Sequence, residues 1–171
     1  MDNSKKIEQL RFVINRFDHF TEGANSKGNF LLAFCGLIFG FIASNFKDII
    51  AFNENAFQTG TSFLLVSLLI LSLISIFLII LAVSPFLKNT NSSSKNYHSL
   101  IFFNSIAETT EKEFISKVKN QKEKELIHDL SKQAHIISKG LQTKHSRIGW
   151  SLKSLIFQLF LILIIIIIKS I

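Results

Sequence analysis

The chain has 171 residues, 48% of them hydrophobic, with eighteen phenylalanines and a formal net charge of +7. A mean hydropathy of +0.36 excludes an ordinary soluble domain and points to a one-domain membrane protein whose core is shared between lipid and protein. The single cysteine, Cys35, falls inside an apolar run, which excludes a disulfide framework. The positive charge reads as cytoplasmic loops of a membrane protein rather than a nucleic-acid surface.

The N-terminal arm, Asp2 to Glu22, places Ile7, Leu10, Ile14 and Phe17 at three- and four-residue spacing, which predicts a helix with one apolar face. That face packs on the rest of the protein or lies on the lipid surface. Gly23 is expected to end this helix, and Asn25 or Ser26 to cap the next. The first apolar span begins near Phe30, behind polar residues and without a small-residue cleavage site, so a cleaved signal peptide is not expected. It runs to about Phe46 and carries Ala33, Gly36, Gly40 and Ser44 in a row. Small residues in such a row admit another helix backbone, in the same chain or a neighbouring one.

A loop from Lys47 to Gly60, with Asp48 and Glu54 against one lysine, precedes a second span from Thr61 to Val83, which Pro85 closes. The third span is nearly pure leucine and isoleucine from Leu159 to Ile168, with Trp150 at its entrance as an interface anchor. Lys153 and Lys169 are expected to snorkel to its two interfaces. The basic residues concentrate in the N-terminal arm and in the long polar insert between spans two and three. This bias predicts a cytoplasmic N-terminus and insert, with the short loop and the C-terminus outside.

Within the insert, Lys88–Asn96 reads as a polar linker, and Tyr97 to Phe103 as a segment too apolar for a free loop. Ser105 with Glu108 and Thr110 with Glu113 form two candidate capping boxes. They predict a short helix, a break near Thr109 and a helix to about Asn120. A last helix starts near Lys122 with an apolar stripe through Leu126, Leu130, Ala134, Ile137, Leu141 and Ile148. The stripe continues towards Trp150, so this helix should enter the third span without a turn, with Gly140 its softest point.

The expected fold is therefore all-α: three transmembrane helices, an N-terminal cytoplasmic helix and a cytoplasmic helical insert. Its divisions are 1–28 for the amphipathic arm, 29–85 for spans one and two, 86–148 for the insert and 149–171 for span three.

Little in the sequence carries catalytic chemistry. It holds no phosphate-cradling glycine loop, no cysteine pair and no metalloprotease pattern. His128 and His135 share a helix face but lack the partners of a zinc site, and no cofactor or metal is expected. The spans hold no acidic or basic residue away from their ends, which disfavours ion-coupled transport. Gln158, polar and deep in the third span, is read as glue between helices. Asn25, Ser26 and Lys27 at the mouth of the first span, and Lys144, His145 and Arg147 at the mouth of the third, fit either an anion site or charges facing lipid phosphates.

Three motifs give the chain a resemblance to a known family. Arg16-Phe17-Asp18-His19-Phe20, followed by Asn25-Ser26-Lys27 and a Leu/Phe-rich span, is the first. Phe102-Phe103-Asn104-Ser105-Ile106-Ala107-Glu108, leading to Glu113-Phe114, is the second. Leu130 through Lys144, with Gln133 and Ile137, is the third. In this order they resemble the membrane-spanning effectors of Pycsar, a bacterial anti-phage system that signals through cyclic pyrimidine mononucleotides. Where the family's entrance more often has an aspartate, this chain has Asn25. The resemblance implies a non-enzymatic effector that recognises cyclic CMP or cyclic UMP from a separate cyclase and impairs the inner membrane.

With the resemblance, the expected ligand set is Asn25, Lys27, Phe102, Phe103, Asn104, Lys144 and Arg147, the cations for the phosphate and the aromatics for the base. The lipid bilayer and further copies of the chain are the other expected partners. Two alternatives stand beside it: an effector that answers a cyclic dinucleotide or another trigger, and a scaffold that binds a partner through its striped helix.

Overall fold

The computed structural model of the protein describes residues 2–51, 58–85 and 98–170. Expectations for the Lys88–Asn96 linker, Tyr97, Glu54 and the Lys169 side chain fall outside what is described. Six helices follow one another: α1 (Asn3–Ser44), α2 (Phe46–Ala51), α3 (Gln58–Val83), α4 (Phe103–Ala107), α5 (Glu111–Asn120) and α6 (Glu123–Ser170). No strand occurs among the described residues. Three of the helices, α1, α3 and α6, are long and apolar enough to cross a membrane. The protein is an all-α membrane protein with three spans.

Two compact units divide the chain. Residues 1–22 and 85–142 form one, here called the insert unit; residues 23–84 and 143–171 form the other, the span unit.

In the span unit the three apolar helices meet in two layers. Ala24, Leu31, Cys35, Ile79, Ala82, Ile148 and Leu155 make one. Ile42, Leu65, Leu68, Leu161 and Ile165 make the other. Most of each span faces outward: only 22% to 28% of the apolar windows is buried within the chain. Phe30, Phe41, Phe63, Phe77 and Phe160 are among the large side chains left exposed, as lipid-facing positions require. Between α3 and α6, Ser72 Oγ donates to Gln158 Oε1 at 2.8 Å, and Gln158 Nε2 donates to Ser75 Oγ at 3.0 Å and Ser154 Oγ at 3.2 Å. Gln158 is thus fully satisfied glue between two spans. Trp150 is exposed, with Lys153 Nζ 4.9 Å from its ring centre.

Two expectations fail in α1. The helix does not stop at Gly23, and Asn25 and Ser26 cap nothing, because α1 is continuous from Asn3 to Ser44. A mid-helix glycine weakens a helix by about 1 kcal/mol without breaking it. The buried positions Ala24, Gly28, Leu31 and Cys35 run in helical phase through Asn25 and Ser26. Thr21 also satisfies its hydroxyl inside the helix, on the Phe17 carbonyl at 2.8 Å. The row of small residues is expected to admit a helix of this chain or of a neighbouring one, and at its Gly36 and Gly40 an added Cβ meets nothing of this chain within 4 Å. The close approach is at Gly28, where an added Cβ would lie 2.6 Å from Val83 Cγ2 of α3.

The insert unit follows the sequence more closely. α4, a break and α5 occur as expected, and Thr110 with Glu113 forms the expected capping box. Ser105 and Glu108 do not form the other one. Phe102 occupies the N-cap position of α4 without a side-chain cap, and Ser105 lies buried inside the helix. The reason lies upstream: Ser99 Oγ accepts from the amides of Ile101 (3.2 Å) and Phe102 (3.0 Å), so the helix is entered before Ser105 is reached. α6 begins at Glu123, with Glu125 Oε2 accepting from the Lys122 amide at 3.0 Å, and runs through Gly140 and Trp150 unbroken.

Candidate functional site

In the span unit, two of the cationic residues at the mouths of the spans, Lys144 and Arg147, gather around the end of α3. A helix leaves its last four carbonyls without intrahelical donors, and here Pro85 follows, with no N–H to offer. Two side chains of α6 take that role. Lys144 Nζ donates to Ala82 O at 2.7 Å, Val83 O at 3.2 Å and Ser84 O at 3.3 Å. Arg147 Nη1 donates to Leu81 O at 2.6 Å. A positive charge on the negative end of a helix dipole is favourable as well as hydrogen-bonded.

Asn25 completes the arrangement from α1, its Oδ1 accepting from Lys144 Nζ at 2.9 Å. One ammonium therefore joins all three spans, and Lys144 as a whole residue is only 6% exposed. Burial, and after it the positive Arg147 nearby, pulls Lys144 below the ordinary lysine range. Asn25, Lys144 and Arg147, all expected at a ligand, are thus brought together on α3. The helix N-terminus once expected beside Asn25 as an anion site does not exist, since α1 passes through it. Lys27 is exposed, and no described residue hydrogen-bonds to it or pairs with it.

Phe102, Phe103 and Asn104 belong to the insert unit. Their rings are tilted, with Phe102 and Phe103 centroids 5.1 Å apart; Phe103 is 59% exposed, and Phe102 and Asn104 are half-buried. A buried polar knot holds this segment. Ser99 Oγ donates to Asp129 Oδ1 at 2.7 Å, the Leu100 amide donates to Asp129 Oδ2 at 2.8 Å, and Gln133 Nε2 donates to Ser99 Oγ at 3.1 Å. Asp129 and Gln133 are only 3% and 4% exposed. The role of Asp129 was missed in the sequence. Its signal was faint: Asp129 and Gln133, four residues apart, flank the Leu126–Leu130–Ala134 stripe, where a charged side chain needs a partner.

Comparison with known proteins agrees with this architecture. The model of the Pycsar effector protein domain, PycTM, matches residues 9–169. The Pycsar effector protein SaPycTM of Staphylococcus aureus is 30% identical over 142 residues, which cover 83% of this chain and 82% of that protein. No solved structure gives a significant match. The chain belongs to the PycTM family of Pycsar effectors, membrane proteins of antiviral defence.

Proposed function

We propose that this protein is a cyclic pyrimidine mononucleotide-gated effector that impairs the inner membrane by binding and rearrangement, without catalysis. The nucleotide, cyclic CMP or cyclic UMP, comes from a separate cyclase, and the response stops growth of the infected cell. Membership of the Pycsar effector family carries this reading, since that signalling system works through such nucleotides. The charge pattern supports a cytoplasmic N-terminus and insert and an outer C-terminus.

In this proposal Lys144 and Arg147 act as the latch on α3, which a ligand-induced change in α6 would tighten or release. Lys27, Phe102, Phe103 and Asn104 are the expected residues that stay wholly or partly open to a ligand. A ligand shifts such an equilibrium only by its differential affinity for the two states. The outward Gly36 and Gly40 face, unused within the chain, supports assembly of several copies during the response.

The test is to express the protein in a host without its own Pycsar system, supply a nucleotide panel, and follow growth and membrane potential. Depolarisation with cyclic CMP or cyclic UMP alone supports the proposal. A response only to cyclic dinucleotides would keep an effector and replace its signal. No response to any nucleotide, with the protein folded in the membrane, would favour a scaffold.

A further inference from the structure

The insert unit contains a cleft of about 450 Å³ lined by His98, Leu100, Lys117, Asn120, Gln121, Glu125 and Asp129. Its volume lies within the range of roughly 300–1,000 Å³ common for small-molecule sites. The larger groove of the span unit is walled mainly by apolar side chains such as Phe34, Leu37, Leu65 and Ile165, with Asn45 and Asp48 as its polar members, and offers an anion no cation. The polar cleft differs in that three separate segments bring it a lysine as well as carboxylates and amides.

Two of its three walls are fixed by bonds already described. The Asp129 floor is tied to Ser99 and to the Leu100 amide, which sets the 98–100 segment against α6. Glu125 is steadied by the Lys122 amide on Oε2, which leaves Oε1 for another donor. Lys117 sits in the last turn of α5 and Gln121 at its C-cap. Lys117, Asn120, Glu125 and His98 are exposed at the rim. The side chains of Lys117, Asn120 and His98 have no hydrogen-bond or ion-pair partner among the described residues.

These groups answer the parts of one ligand. A cyclic mononucleotide carries a single phosphodiester charge, which a lysine can meet. Amides read a base edge with both donors and acceptors, while a carboxylate only accepts. Cytosine presents its N4 amino donor where uracil presents an oxygen, so a carboxylate pairs with the first and repels the second. We infer that this cleft binds the pyrimidine nucleotide, with Lys117 on the phosphodiester and Glu125, Asn120 and Gln121 on the base edge, in a set that favours cytosine. The inference rests on the nucleotide-gated function proposed above and adds the site and the base preference.

The experiment measures binding of cyclic CMP, cyclic UMP and cyclic AMP to the full chain in detergent by calorimetry. It compares wild type with Lys117→Ala, Glu125→Gln and Lys27→Ala, each with its melting temperature. Glutamine keeps the capping role at position 125, so Glu125→Gln tests the base contact without removing the helix cap.

Wild type is expected to favour cyclic CMP over cyclic UMP by about tenfold or more, the scale of one base contact. Glu125→Gln should level that preference, and Lys117→Ala should weaken both pyrimidine nucleotides about tenfold at unchanged melting temperature. Wild-type affinity in both cleft variants, loss in Lys27→Ala alone, or a wild-type preference for cyclic UMP would each overturn the inference and leave the gated function standing. Wild type that binds no pyrimidine nucleotide would overturn both.

Discussion

Replacing Lys144 by methionine keeps most of the side-chain bulk and removes the ammonium that joins the three spans. Four oxygens then lose their donor, of which Ala82 O at 2.7 Å and Asn25 Oδ1 at 2.9 Å make the shortest bonds. A buried acceptor left unpaired costs about 1–3 kcal/mol. Ser84 is exposed, so water can replace the bond lost there. Arg147 still holds Leu81 O. Relief from burying a charge offsets part of the loss, as the lowered proton affinity of Lys144 indicates. The net destabilisation should be about 2–4 kcal/mol, at or below the level of stripping one partner from a buried ion pair.

For a chain of this length that is a fall of roughly 5–15 °C in melting temperature. Trp150, the only tryptophan, reports unfolding through its emission in detergent. A fall of less than about 2 °C would show that the end of α3 does not depend on Lys144, and the latch would have to be abandoned.

Other outcomes follow from the same geometry. The lowered Lys144 affinity means that, between its folded value and 10.5, the unfolded chain binds the extra proton. Stability from this group therefore rises with pH across that window, and a pH series of melting temperatures should lose that rise in Lys144→Met. Gly28→Ala should destabilise by about 1–3 kcal/mol through the Val83 contact, whereas Gly36→Ala and Gly40→Ala should not, which comparative melting will show. Gln158→Leu breaks the tie to Ser72, Ser75 and Ser154 and should cost about 1–2 kcal/mol by denaturant titration in micelles. The double variant Gly36→Leu, Gly40→Leu should bind nucleotide and melt as wild type yet fail to stop growth; unchanged toxicity would remove that face from the response.

The parts of the fold set by local signals were legible. Apolar length marked the three spans, Pro85 the end of α3, and Thr110 with Glu113 the start of α5. Gln158 could be read as glue because a polar side chain surrounded by lipid has few other options. What escaped depended on partners distant in sequence. Gly23 and Asn25 carry the local marks of a helix boundary, but α1 runs through both, with Ala24 and Gly28 packed against the other spans on either side of Asn25. Lys144 and Arg147 read as free cations at a membrane entrance, because nothing local shows that the carbonyls of residues 81–84 lie beside them. Ser99 and Asp129, thirty positions apart, give no sign of pairing until the chain is folded.

The central claim is tested most directly with purified protein in liposomes loaded with a quenched dye, to which single nucleotides are added. Release driven by a cyclic pyrimidine mononucleotide, and not by cyclic AMP or a cyclic dinucleotide, is the predicted result. Liposomes that stay sealed although the protein binds the nucleotide would contradict the claim that binding by this chain alone impairs a membrane.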